Sequence, residues 1–386
     1  MGALIEGSWD DAREVAARSF LPLSTQVIDV SLGVDRILAS DAHSLCDLPT
    51  YATSAMDGYA VAGLGPWKII GEVKAGLPMR EKLNSGQAVG IATGAVIPDG
   101  VFGVIRWEHA TITDNTLTGD VLEGQDVRPP AHECRAGDVL IHSGTKLNPA
   151  MIGLLCAAGL DELNVVAKPK VAIVLLGDEI ALTGVPSDGL VRDALGPQLP
   201  GWLVKMGCEV ISTQYISDEA SLVVAALDQA CAVADIVITT GGTAQGPRDY
   251  LHDALHQIDA EILVDTVAVR PGHPMLLARK AKSAILGLPG NPQSAIVALA
   301  SLGGPVVASL LGKEQEELPM VITSSELTAP ENFTRLVIGN LIESRFVMEQ
   351  YLGSAMLRGL AHSTGFAVVV KGLTTAGEPV RWLSLP

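Results

Sequence analysis

Residues 283–312 carry no formal charge. A run of that length must be hidden from water, either in a bilayer, where ~20 apolar residues make a span, or in a protein core. Pro289, Gly290, Pro292, Gly303, Gly304 and Pro305 decide between the two. They break the run into a short strand and a helix, the pattern of a buried α/β core rather than of a continuous membrane helix. No membrane segment is therefore expected. The first residues, MGALIEGSWDDAR, place acids where a secretory signal needs a basic stretch. Glu6 stands where a myristoylation pattern needs Ser or Thr. Cysteines 46, 134, 156, 208 and 231 are scattered without a C-x-x-C pair, the usage of a reducing compartment. The expected location is cytoplasmic.

The uncharged run closes a longer stretch, residues 168–312, in which strand and helix signals alternate. Val171-Ala-Ile-Val-Leu-Leu176 is continuously apolar, as a parallel strand buried on both faces must be. Helix signals follow near 195–206, then a strand near 209–216. A helix over 218–234 lines up Val223, Leu227, Ala230 and Ala234 on one stripe. Further strands are predicted at 235–239, 262–269 and 284–288, with a helix opening at Asn291. This is the text of a doubly wound α/β domain.

The chain is long enough, at 386 residues, for two or three domains. Residues 48–138 alternate in short stretches punctuated by DG and PDG turns, a β-rich module inserted between segments 1–47 and 139–167, which form a mixed helical/extended domain. In the second segment Asn148 and Pro149 start a helix and Gly159 stops it. Residues 318–386, after a charged linker, read as a small β-barrel or sandwich. With 48% hydrophobic and 18% charged residues the chain is not disordered. Twenty-six Lys+Arg against 43 Asp+Glu give a net charge of −17 with no basic run, which argues against nucleic acid as partner. An anionic substrate needs a local cation to overcome that field.

In an open parallel sheet, ligands gather beyond the carboxyl ends of the strands. One strand here ends in Gly177-Asp178-Glu179, another in TTGGTAQGPRD with Gly241, Gly242 and Asp249, and a third in Pro289-Gly290-Asn291-Pro292. Asp218 opens the helix after the second strand, where it also reads as an ordinary helix-start residue. A helix start with bare N–H groups suits an oxyanion. Carboxylates alone would repel one, so Mg²⁺ bridging them to phosphate is required, with Arg248, Arg270 and His273 as nearby cations. His252 and His256, four apart on a helix, lack a third metal ligand. Asp57-Gly58 in the β module reads equally as a hairpin turn.

Taken in order, SAMDGYA (54–60), TGAVIPDG (93–100), GDE (177–179), TGGxxxGxxD (240–249), PGxP (271–274) and GLPGNPxSA (287–295) resemble the molybdopterin molybdenumtransferase family, the MoeA type also found as the C-terminal part of gephyrin. The resemblance runs over nearly the whole chain. It implies a MogA-like α/β domain, an inserted β domain, a helical/extended domain and a C-terminal β-barrel. It implies a homodimer whose site lies between the α/β domain of one subunit and the β module of the other. The implied substrates are adenylylated molybdopterin and molybdate, with Mg²⁺-dependent hydrolysis of the adenylate and release of AMP. Asp178, Glu179, Asp218 and Asp249 are then the metal and catalytic carboxylates, with Asp57 as a further catalytic group. Thr93, Gly241, Gly242, Gly246, Arg270, His273, Pro289, Gly290, Asn291, Arg335 and Ser354 bind substrate. The resemblance also implies contact with an adenylyltransferase partner and with molybdoenzyme chaperones.

The chain departs from the family pattern at anion-contacting positions. Thr243-Ala244 replaces Val-Ser, Leu176 replaces the Thr before GDE, Glu133 stands where an Asp is expected, and His273 replaces the lysine of PGKP. Lysine is a permanent cation near neutral pH, whereas histidine is not. The carboxylates and glycines remain, which favours an enzyme; the alternative is a catalytically weak or inactive paralogue that binds molybdopterin or acts as a scaffold.

Overall fold

The computed structural model describes residues 2–243 and 250–386. The chain divides into two compact units, residues 26–165 and residues 1–25 with 166–386.

The larger unit is built on a seven-stranded sheet. Its order is Leu4–Gly7, Glu261–Val267, Leu276–Lys280, Ser283–Leu288, Ile236–Thr240, Lys170–Leu176 and Glu209–Ile216. The last four strands in that order run parallel. Three of them, Ser283–Leu288, Ile236–Thr240 and Lys170–Leu176, are buried along their length and legible as apolar runs, because burial on both faces leaves no place for alternation, whereas the edge strand Glu209–Ile216 alternates. Leu276–Lys280 is antiparallel to both neighbours and was not predicted. Its three buried apolar residues run straight into two basic ones, too short a pattern to announce a strand.

The expected segment 1–47 splits. Leu4–Gly7 pairs in parallel with Glu261–Val267 as the sheet edge. The helix Trp9–Arg18 follows, with Trp9, Ala12 and Ala16 buried. The strand Leu4–Gly7 and the helix Trp9–Arg18 therefore pack with the α/β sheet. Four residues with one polar member carry too little pattern to announce an edge strand.

Helices cover both faces. The expected stripe Val223, Leu227, Ala230 and Ala234 is buried against Ala172, Val174, Val237 and Ile285 of the sheet. The uncharged run forms strand Ser283–Leu288 and helix Pro292–Leu310. That helix is long and apolar enough to cross a membrane, but 89% of it is buried inside the protein. It is a core helix. Residues Leu299–Gly303 take a π turn within it. Such a turn loosens the carbonyl ladder, and Arg13, 6% exposed, donates to the Ala300 and Ser301 carbonyls at 3.1 and 3.5 Å. Trp9 Nε1 donates to Ser301 Oγ at 2.8 Å.

The same unit ends in a closed five-stranded barrel. Thr334–Ile342 pairs with both Arg345–Met348 and Gly365–Val369, and Met320–Thr323 with Pro379–Ser384 complete the ring. Val337, Phe346, Ala367, Val369 and Trp382 fill it.

In the smaller unit the β module is a six-stranded sheet ordered Gly103–Arg106, Gly58–Val61, Gln87–Ile91, Trp67–Val73, Thr116–Thr118 and Thr111–Thr113. Strict alternation puts Ala60, Val89 and Val104 in one core and Val61, Ala88 and Ile105 in the core on the opposite face. Helix Pro149–Ala157 starts as expected, with Asn148 Oδ1 accepting from the Met151 N–H at 2.9 Å.

Candidate active site

The order of the parallel strands fixes where a ligand can enter. The first in sequence, Lys170–Leu176, lies between the second, Glu209–Ile216, and the third, Ile236–Thr240. The chain leaves it towards opposite sides, so a crevice opens beyond the ends of the first and third strands. The ends are level: Leu176 is in register with Ile216, and Thr240 with Leu288.

The loops that leave Leu176, Ile216, Thr240 and Leu288 border it. Gly177 has φ +134°, and a Cβ on it would lie 2.7 Å from Glu179 Oε2, so glycine alone permits this turn. Beyond it the Asp178 N–H donates to Asp218 Oδ2 at 3.4 Å, and the Asp218 N–H donates to Asp178 Oδ1 at 3.3 Å. Each loop thus holds the other's carboxylate. Asp218 was expected to open the following helix; Glu219 occupies the N-cap of Ala220–Val233 instead, because the Asp218 carboxylate is turned to Asp178. Glu179 is exposed. Asp249, Gly246, Ala244 and Arg248 lie outside the described residues.

Among the described residues no group of three or more His, Cys, Asp and Glu forms a metal cage. Mg²⁺ is usually held by one or two carboxylates while substrate phosphates and water complete its shell. The reciprocal contacts are long, and both partners are hard oxygen donors, so Asp178 and Asp218 fit the ion. His252 is engaged differently: its Nε2 lies 3.1 Å from Asp265 Oδ1.

Beside the acidic rim lies a cavity of about 340 Å³ with the opposite character. Arg270, His273, Pro289, Asn291, Arg335 and Ser354, all named from sequence, line it. Arg270 and Arg335 are register partners on adjacent parallel strands. Two guanidinium groups so placed repel each other unless an anion sits between them. Each is braced: Arg270 lies over the Phe333 ring at 4.8 Å, and Arg335 Nη1 donates to the Thr328 carbonyl at 2.9 Å. His273 donates from Nδ1 to the Val267 carbonyl at 2.7 Å, leaving Nε2 3.9 Å from Glu6. Only one ring nitrogen is therefore available for other work.

Asn291 stands at the N-cap of the core helix, but its side chain makes no capping bond there. The Gln293 N–H is not a bare donor either, since it is given to the Ser354 carbonyl at 3.0 Å. That bond ties the barrel to the helix start and fixes Ser354 at the cavity. The helix Leu195–Lys205 is closed to a guest. Asp193 Oδ1 accepts from the Leu195 and Gly196 N–H groups at 3.0 and 2.9 Å, and Oδ2 accepts from the Tyr215 hydroxyl at 2.6 Å. Burial, with Asp193 adding to it, pushes the Tyr215 hydroxyl up to about 12.

In the smaller unit Asp57 and Thr93 come together: the Thr93 N–H donates to Asp57 Oδ1 at 2.7 Å, and both residues are exposed. Gly58 has no room for a side chain, because a Cβ would enter the Ile105 carbonyl oxygen. Below this loop Arg106 and Asp126 form a two-pronged ion pair at 2.8 and 2.9 Å. The Asp126 carbonyl accepts from the Ala55 N–H at 2.7 Å. The Arg106 hydrogen bonds hold the Asp126 carboxyl below the usual range.

Sequence reasoning missed Asp193, Thr328, Phe333 and Gln293. The first three act as braces, and their partners are far away in sequence or in unpatterned text. Gln293 carried a signal, an amide inside the otherwise uncharged and apolar core run.

Residues 7–159 match the MoeA N-terminal region (domain I and II), and residues 172–309 match a probable molybdopterin binding domain. A molybdopterin molybdenumtransferase of Haemophilus influenzae is 32% identical over 307 residues, covering 77% of this chain and 76% of that protein. One from Nostoc sp. is 30% identical, covering 94% and 89%. A crystal structure of a molybdopterin biosynthesis MoeA protein from Pyrococcus horikoshii superposes with a TM-score of 0.80 at 25% identity, covering 98% of each chain.

Proposed function

The chain belongs to the molybdopterin molybdenumtransferase family of molybdenum cofactor biosynthesis, and from that premise we propose how its residues divide the work. The substrates are adenylylated molybdopterin and molybdate. Water breaks the phosphoanhydride bond, AMP leaves, and the dithiolene sulfurs take up the molybdenum.

Asp178 and Asp218 hold Mg²⁺ at the sheet crevice, with Glu179 and Asp249 completing the acidic set. Mg²⁺ bound there would supply positive charge to offset that of the pyrophosphate. The Gly241-Gly242 turn, with Gly246, lets the backbone approach the nucleotide phosphates without side chains between. Pro289-Gly290-Asn291 forms the wall between that turn and the cavity; the nearest contact of a Cβ built on Gly290 is Gly241, at 3.9 Å.

Molybdate occupies the cavity. Arg270 and Arg335 offset its two negative charges inside a protein of net charge −17. His273 and Ser354 orient it. Asp57 and Thr93 serve the same reaction from the second copy of a homodimer. The enzyme works in the cytoplasm, where an adenylyltransferase delivers the adenylate and molybdoenzyme chaperones receive the product.

One observation carries this reading: six residues named from sequence, four in or beside the PGxP and GLPGNPxSA motifs and two from the C-terminal domain, line a single cavity with two arginines in register. The test is release of AMP from adenylylated molybdopterin by the purified full chain. Release that requires both Mg²⁺ and molybdate supports the assignment. Release indifferent to molybdate contradicts it. Light scattering gives the mass of a dimer if Asp57 and Thr93 act across subunits; a monomer removes them from the site.

A further inference from the structure

Gln293 is 1% exposed, lines the cavity, and its side-chain oxygen has no hydrogen-bond partner among the described residues. A buried amide oxygen left unpaired is destabilising, because it has lost water and gained no partner. It sits in the first turn of a 19-residue helix whose other early positions are apolar or small, so an aliphatic side chain would be the stable choice there. The polar group is carried at a cost, and its place in the cavity wall says what offsets the cost.

We propose that Gln293 is the oxyanion-selecting donor of this cavity. A half-turn of its amide puts two N–H groups where the unpartnered oxygen stands. One of them donates to an oxygen of a tetrahedral oxyanion held between Arg270 and Arg335. The arginines recognise charge, and Gln293 recognises an oxygen at a fixed depth beside the helix start. This answers a deficit in the same cavity: His273 has committed Nδ1 to the Val267 carbonyl and offers no fixed cation. A neutral donor on the rigid core helix does that work instead. The inference rests on the reading that the cavity takes molybdate.

The test uses the full chain, molybdate as probe at constant ionic strength, and Gln293→Met, which keeps length and volume while removing the donor. Hydrogen bonds to charged groups lead us to expect molybdate affinity about 10- to 100-fold weaker in the variant. Without molybdate its melting temperature equals or exceeds that of the unmodified protein, because an unpaired amide has gone. Gln293→Glu weakens molybdate binding further, since a carboxylate faces the dianion. Two results overturn the proposal, and they differ. If the unmodified protein binds molybdate and Arg335→Met weakens it, while Gln293→Met binds as well as the original, only the role of Gln293 fails. If the unmodified protein shows no molybdate binding at all, the reading of the cavity fails and this inference with it. A variant that melts lower without molybdate yet keeps full affinity marks Gln293 as structural.

Discussion

Two polar regions border one sheet crevice, and they are opposites. The Asp178–Asp218 rim is acidic, and its parts are held by backbone N–H groups of facing loops at 3.3 and 3.4 Å. The neighbouring cavity is cationic, and its arginines are held by an aromatic ring and a carbonyl from the barrel side. Loose acidic loops suit a cation that completes its own shell; braced arginines suit an anion of fixed geometry. The difference teaches that an acidic protein tolerates an anionic substrate by separating the two charge types, not by averaging them.

The contrast breaks most severely at the acidic rim. Asp178→Asn removes the carboxylate charge proposed to hold Mg²⁺ and weakens the acceptor that holds the Asp218 loop. Even the loss of groups behind a metal ligand costs 10- to 100-fold in affinity or activity. AMP release should therefore fall by about 100-fold or more, with partial recovery at high Mg²⁺. A variant with full activity at ordinary Mg²⁺ removes the carboxylate pair from the mechanism.

Arg335→Met attacks the other side. The expected loss is about 10- to 100-fold in apparent molybdate affinity, with Mg²⁺ dependence unchanged. Titrating molybdate into the AMP-release assay at saturating Mg²⁺ measures it, and an unshifted curve counts against the cationic cavity.

His273→Lys sharpens the contrast. A permanent cation gains attraction for the dianion, but it gives up the Val267 carbonyl bond. The net expectation is molybdate binding tighter by about threefold at pH 8. Weaker binding would show that the Nδ1 bond shapes the cavity more than the charge does.

The smallest effect lies in the β module and serves as a control on both regions. Arg106 lowers the Asp126 carboxyl in the folded state. Its stabilising contribution is therefore complete above the ordinary carboxylate range and disappears as pH falls through the lowered folded value. Asp126→Asn should flatten the acid limb of a melting-temperature profile between about pH 5 and pH 2 and leave neutral-pH molybdate affinity unchanged. A profile with the same slope as the original would show that another carboxylate sets that limb.

Much of this was legible because burial leaves strong marks on sequence. The continuous run 171–176 reads as a strand buried on both faces, and the short stretches 59–61, 67–70 and 104–107 read as a β-rich module. The cavity-lining residues were found through motifs, and their convergence follows from parallel strands ending level. The missing elements are those with weak local signal. Leu4–Gly7 is too short to show a period, and Leu276–Lys280 is three apolar residues followed by two basic ones, which shows none either. Asp218 was misread as a helix start, since the same residue type serves a cap and a crevice. Gln293 was visible as an amide in an apolar run, but only the packed core shows that its oxygen has no partner.

The most direct measurement follows Mg²⁺ and molybdate dependence of AMP release side by side in Asp178→Asn and Arg335→Met. Separate charge regions require each variant to shift one curve and leave the other in place. If either substitution shifts both curves equally, the two regions act as one site and the division is wrong.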